Sequence, residues 1–158
     1  LSRAEQLCQK TNQFNMTTKR YTLSDLGEML KKNDHELYML KVGDCFCDHG
    51  SVGLVILIKE GEIVNIDTFI LSCRVIARGI ESAFLDWLKD DLRKRKFRFL
   101  RGKYSRSAKN GPCEKTYSDN DFSKVSDNGE ESIYEYDLSC KKSKTGKMKL
   151  VKVIRTKG

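Results

Sequence analysis

The sequence has no run approaching the roughly 20 apolar residues that a membrane-crossing helix requires. Its most apolar stretch, Val52 to Ile58, is strand-sized, and no membrane partner is expected. It does not open on the charged-then-apolar pattern of a secretory leader, and it begins at Leu1 rather than Met. A cytoplasmic protein with a further segment ahead of this one is expected. No internal repeat and no second periodic block is visible in the 158 residues, which read as one domain with a real core. Residues 1–35 read as a linker with capping helices, and residues 36–158 as the domain proper.

Acidic residues are missing from Lys141 to the end, where eight Lys and Arg stand. The formal net charge is +8, so this stretch carries the whole excess and the rest of the chain is balanced. No nucleic-acid motif accompanies the charge, so no nucleic acid is expected. A lysine-protected edge hairpin fits the stretch, and so does a patch for an acidic protein or a phosphate-bearing cofactor. A second metal-ligand pair is missing too. Cys45-x-Cys47-Asp48-His49 stands alone, without the partner pair of a zinc site, and no metal is expected. The six cysteines are scattered through a chain large enough to hold itself together, which favours reduced thiols.

Leu1, Ala4, Leu7 and Cys8 fall at helical spacing. Thr22 is a candidate N-cap for a helix over Leu23 to Lys32. From Glu36 the period changes to that of strands, with ELYMLKV first, then two strands joined by a tight turn at Glu60-Gly61. The continuous run Leu54–Ile58 predicts a strand covered on both faces. Ile76, Ile80, Phe84, Leu88 and Leu92 predict one long helix starting at Arg74 and ending in the basic run Arg93–Lys96, which suits the negative end of the helix dipole. FRFLRGKY is a further strand, Pro112 opens a short helix, and Ser118 to Ser132 reads as loop. SIYEYDLSC and KMKLVKVIR alternate as a closing hairpin with residues 141–146 at its tip.

This order of elements resembles the GNAT-type acetyltransferase fold, an α+β architecture with a mixed, mostly antiparallel sheet flanked by helices and splayed after Ile63–Leu71. In that pattern the turn from IDTFILS into the long helix holds the pyrophosphate of coenzyme A or a phosphopantetheine arm. Unpaired N–H groups at a helix's positive end are what favour phosphate. Here the turn reads Arg74-Val75-Ile76-Ala77-Arg78-Gly79, with Ala77 where a Gly belongs. An alanine keeps its N–H but resists a positive φ by about 1 kcal/mol or more.

Longer strings carry a closer resemblance. Thr11–Asn15, Arg20-Tyr21-Thr22, Asp44-x-Phe46-x-Asp48-x-Gly50-x-x-Gly53, Ile66-Asp67-Thr68, Ser72–Val75, Arg78-Gly79 and Ala108-Lys109-Asn110-x-Pro112 are similar to the FkbH-like family. The likeness runs from Leu1 to about Val125. It implies a HAD-type phosphatase domain in cis ahead of this one, and transfer of a glyceryl or related acyl group through an enzyme cysteine to an acyl carrier protein. The sequence departs from the family at Cys45, Cys47, His49, Phe69 and Ala77, which bears on the particular substrate. The phosphatase Asp-x-Asp motif is absent, so phosphate hydrolysis by this chain alone is not expected.

On that resemblance Cys73 is the candidate nucleophile. A strand-to-helix junction exposes a thiol and favours the thiolate, although a small buried hydrophobe is the other common role of a free cysteine. His49 and Asp67 are candidates for base and orienter, against a loop histidine and a structural carboxylate. Asn12, Gln13 and Asp48 are candidates for binding the acyl substrate, and Lys109 and Asn110 for the carrier arm, with helix capping as the alternative for Asn110. Arg74, Ala77, Arg78 and Gly79 would cradle the cofactor's phosphates. A pocket bounded by Asp67, Cys73 and Gly79 is expected. A direct acetyl-coenzyme A N-acetyltransferase and a non-catalytic docking module for the carrier or phosphatase domain are the competing expectations.

Overall fold

The computed structural model describes residues 1–43, 48–140 and 151–156. Helices α1 (Ser2–Lys10) and α2 (Leu23–Lys31) lead into strands β1 (His35–Gly43), β2 (Asp48–Glu60) and β3 (Ile63–Leu71). Helix α3 (Ile80–Lys94) follows, then β4 (Phe99–Ser105), β5 (Ser123–Asp127), β6 (Glu131–Asp137) and β7 (Val151–Thr156). The strands form one sheet in the order β5-β6-β4-β3-β2-β1-β7. Among the described residues, only β3 and β4 pair parallel.

Local chemistry sets the early elements. Thr22 caps α2 reciprocally with Asp25, each side chain serving the other's backbone N–H. Gly61 turns β2 into β3 at φ +60°, which only glycine adopts without cost. As its unbroken apolar run predicts, β2 is covered on both faces. Leu54 and Ile56 pack with Ala4, Leu7 and Cys8 of α1 and Leu26 of α2. Val55 and Leu57 point into the larger core with Phe84, Leu88 and Leu92 of α3.

Two sequence expectations are corrected at the far end of the chain. Alternation marks SIYEYDLSC and KMKLVKVIR as strands but does not name their partners. β6 pairs with β4 and β5, whereas β7 runs along the opposite edge against β1, from Leu37↔Thr156 to Val42↔Val151. The expected hairpin tip at residues 141–146 lies outside the described residues. The stretch read as loop holds a short turn at Ser118–Asn120 and all of β5. Asp127 and Asn128 then make the turn to β6 by accepting the N–H groups of Gly129, Glu130 and Glu131.

The sheet opens where the sequence reading places the splay, and Asp67 is the hinge. Ile56 faces Thr68 while Leu57 faces Ile66, so Asp67 is an extra residue in β3, and such a bulge bends a strand. The β3–β4 ladder ends at that point, at Ile66↔Gly102. Gly102 is required there, because a Cβ would stand 2.2 Å from the Tyr117 ring.

The chain's own residues Phe14–Thr17 fill the resulting wedge. Toward β3, Leu71 N–H donates to Phe14 O and Met16 N–H to Phe69 O, both at 3.1 Å, and Thr17 Oγ1 donates to Asp67 O at 2.9 Å. Toward β4, Ser105 N–H donates to Met16 O at 2.8 Å. The splayed edges therefore satisfy their backbone groups against this insert.

Candidate active site

Beyond the insert, β3 runs out at Leu71 and the chain makes a short turn at Cys73–Val75 rather than entering the long helix. Helix α3 starts only at Ile80, with Gly79 as its N-cap at φ +73°. Sequence spacing carried the helix six residues too far, since Ile76 stands four before Ile80 by position alone. Two left-handed residues break it: Gly79, and Ala77 at φ +62°, which accepts the strain expected of an alanine there.

Cys73 is exposed, which removes the buried-hydrophobe alternative. Its neighbourhood is a cavity of about 740 Å³ between the end of α1, the Thr11–Gln13 loop, the Ser72–Arg74 turn and the Ala108–Lys109 loop. Among the described residues, the charged members of that lining are all cations: Arg3, Lys10, Arg74 and Lys109. Their combined field favours an anionic ligand. Cys8 and Cys113, by contrast, are buried, and burial pushes both thiols up, Cys113 to about 12.

Of the residues singled out in the sequence, Asn12, Gln13, Cys73, Arg74 and Lys109 meet around this cavity. Asn12 is oriented by Arg20, whose guanidinium donates to the Asn12 Oδ1 and to the carbonyls of Cys8 and Gln9. Ala77, Arg78 and Gly79 are exposed but do not line it.

Asp67 stands apart from Cys73. It lines a separate cleft of about 210 Å³ beside Arg101 and Lys103, forms an ion pair with Lys19, and accepts the Tyr21 hydroxyl at 2.7 Å. Burial and this carboxylate together raise the Tyr21 pKa. The expected pocket shared by Asp67, Cys73 and Gly79 is therefore replaced by one that Cys73 shares with α1. Asp48 and His49 enter β2 by backbone, while their side chains, like Cys45 and Cys47, lie outside the described residues.

Asn110 has no free capacity for a ligand. It is fully buried, donates through Nδ2 to Asn15 O and Ser105 O, and accepts at Oδ1 from Ser107 N–H and Tyr104 Oη. It shapes the Ala108–Lys109 wall.

Sequence reasoning missed Arg3, Gln6, Leu7 and Lys10. The signal was present: these positions fall at i, i+3, i+4 and i+7, one stripe of a helix. Among the described residues no group of three or more His, Cys, Asp or Glu could hold a metal ion, and no helix is long and apolar enough to cross a membrane.

The bulged, splayed mixed sheet with α1 and α2 on one face and α3 on the other is the GNAT fold. The Escherichia coli ribosomal-protein-S18-alanine N-acetyltransferase matches it with a TM-score of 0.62 at 12% identity, over 89% of each chain. The GNAT domain of Streptomyces lividans PAT gives 0.57 at 14% identity, over 75% of this chain and 70% of that one. A PaiA N-acetyltransferase from Thermoplasma acidophilum, solved in complex with coenzyme A, gives 0.52 at 17% identity, over 63% and 60% respectively. No family model matches the sequence, and no curated protein matches it.

Proposed function

We propose that this domain is an acyltransferase that takes its acyl group from a phosphate-bearing thioester, coenzyme A or a carrier-bound phosphopantetheine arm, and holds it on Cys73. The observation that carries this reading is the exposed thiol on the wall of a cavity whose described charged residues are all cations. Arg74, Lys109, Lys10 and Arg3 would hold the phosphates through charge-assisted contacts. The Cys73 thiolate attacks the donor carbonyl, the donor's C–S bond breaks, and the arm leaves as a thiol that takes up the proton. A second nucleophile then attacks the acyl-enzyme and regenerates Cys73. The likeness to the FkbH-like family supports a finer reading that differs in its donor: a glyceryl phosphate, handled together with a HAD-type phosphatase domain in cis, loads a glyceryl or related group onto Cys73, and an acyl carrier protein, its arm held in the same cationic cavity, is the acceptor rather than the donor.

The GNAT fold favours a second reading, direct transfer from acetyl-coenzyme A to an amine without a covalent intermediate, because the structural neighbours include N-acetyltransferases. Intact mass spectrometry separates the two. Incubated with acetyl-coenzyme A or an acetylated carrier protein, the chain is expected to gain one acetyl group on the Cys73 peptide, and Cys73→Ser to gain none. Arg74→Glu and Lys109→Glu are each expected to weaken thioester binding about tenfold, as for the loss of a charge-assisted contact. A label on another residue, or normal loading of Cys73→Ser, overturns the assignment. Turnover with no acyl-enzyme at any time favours direct transfer.

A further inference from the structure

Arg20 settles which way the Asn12 side chain faces. Its guanidinium donates to Asn12 Oδ1, to Cys8 O and, at 2.6 Å, to Gln9 O. A guanidinium has donors and no acceptor, so it holds the oxygen end of the amide and never the nitrogen end. The holder is itself held, because Cys8 and Gln9 lie in the last turn of α1, at the negative end of that helix's dipole. Asn12 is exposed, and among the described residues no acceptor takes its Nδ2.

The place of Arg20 says where that donor is turned. Asn12 lines both the Cys73 cavity and a second hollow of about 360 Å³. Arg20 lines only the second hollow, and Cys73 only the first. Oδ1 is drawn to the Arg20 side. The two ends of a planar carboxamide diverge, so Nδ2 is left for the cavity that holds Cys73. Gln13 lines the same cavity, but among the described residues no neighbour orients its carboxamide.

Attack by the Cys73 thiolate calls for a donor of this kind. Sulfur adds to the carbonyl carbon, the π electron pair moves onto the oxygen, and collapse of that oxyanion expels the leaving group. A fixed N–H aimed at the oxygen speeds the step, because the charge it meets develops only in the transition state. The cations of the cavity are taken up by the phosphates, which leaves this role to a neutral amide.

We infer that Arg20 positions Asn12 as an oxyanion donor, whose Nδ2 stabilises the tetrahedral intermediate formed on Cys73. Asn12 is then a catalytic residue and Arg20 a positioning residue. The inference rests on Cys73 as the residue that receives the acyl group, but not on which donor delivers it.

The test compares two reactions of Cys73 in the full chain, each read on the Cys73 peptide by mass spectrometry. p-Nitrophenyl acetate acylates the thiol through an oxyanion and carries no phosphate. Iodoacetamide alkylates it by displacement, with no oxyanion. Both rates follow the thiolate fraction, so their ratio isolates the donor. Asn12→Ala is expected to lower the acylation-to-alkylation ratio about tenfold to a hundredfold, the range of a hydrogen bond to a charged group. Asn12→Asp keeps a partner for Arg20 but brings no N–H, and is expected to lower it as far. Arg20→Met is expected to lower the ratio in the wild-type background and not in Asn12→Ala, whereas a purely structural role would slow both. Where Arg20→Met fails to fold, the two variants at the exposed Asn12 carry the test. A ratio unchanged in both Asn12 variants overturns the inference, even where acetyl-coenzyme A loads Cys73 normally. A ratio that falls in both, with no loading from acetyl-coenzyme A or an acetylated carrier protein, upholds the donor and removes the thioester reading.

Discussion

Asn110 donates through its side chain to the backbone carbonyl of Asn15 at 3.0 Å, fastening the inserted segment to the loop after β4. The same amide bonds Ser105 O, Ser107 N–H and the Tyr104 hydroxyl. One fully buried side chain thus connects the wedge insert, the end of β4 and the Ala108–Lys109 wall of the site.

Truncating Asn110 leaves several buried backbone groups without partners. Asn110→Ala is therefore expected to lower stability by about 2–4 kcal/mol in urea unfolding. A loss under 1 kcal/mol would mean the loop finds other partners and Asn110 is free to serve the site after all.

The Tyr117 hydroxyl gives an effect of opposite sign. The residue is fully buried, and its Oη has no hydrogen-bond partner. Burial also raises its pKa, so it stays neutral. Removing an orphaned hydroxyl while keeping the ring against Gly102 should relieve a desolvation cost. Tyr117→Phe is expected to raise stability by about 1 kcal/mol in the same assay, and a destabilised variant would refute the idea that the hydroxyl is unpaired.

The four described cysteines should divide by exposure. At neutral pH iodoacetamide is expected to modify Cys73 and Cys140 and to spare Cys8 and Cys113. Cys113 also sets a pH dependence. Burial raises its pKa from 9.0 to about 12, so its contribution to stability is complete below pH 9 and is lost as pH rises from 9 through 12. Labelling of Cys113 should accelerate over that interval, as peptide mapping would show. Modification of Cys113 as fast as Cys73 at pH 7 would contradict the burial argument.

Much of the fold was legible because local signals and burial agreed. Ala4, Leu7 and Cys8 mark the buried side of α1, Thr22 and Asp25 mark the start of α2, and Gly61 marks the hairpin. The partner of β7 was not legible, because alternation identifies a strand but not its neighbour. The insert was not legible either: four residues that complete a splayed sheet carry no period of their own. Around the site, Asn12, Gln13, Arg74 and Lys109 were found beside Cys73, whereas Asp67, expected as an orienter in the same pocket, stands apart. Asp67 is the bulged residue of β3 and Cys73 stands in the turn beyond that strand's end, so the two side chains reach different clefts.

The insert has a consequence for how the chain acquires its shape. Phe14–Thr17 is made early, yet its bonding partners are spread from Asp67 to Asn110. During synthesis at the ribosome, the segment leaves the exit tunnel long before Asn110 does, so its wedge cannot yet be closed. The β1–β3 meander, with only local connections, is able to form first. Docking of the early segment then closes a loop of almost a hundred residues, an ordering step that weighs on folding rate more than on final stability.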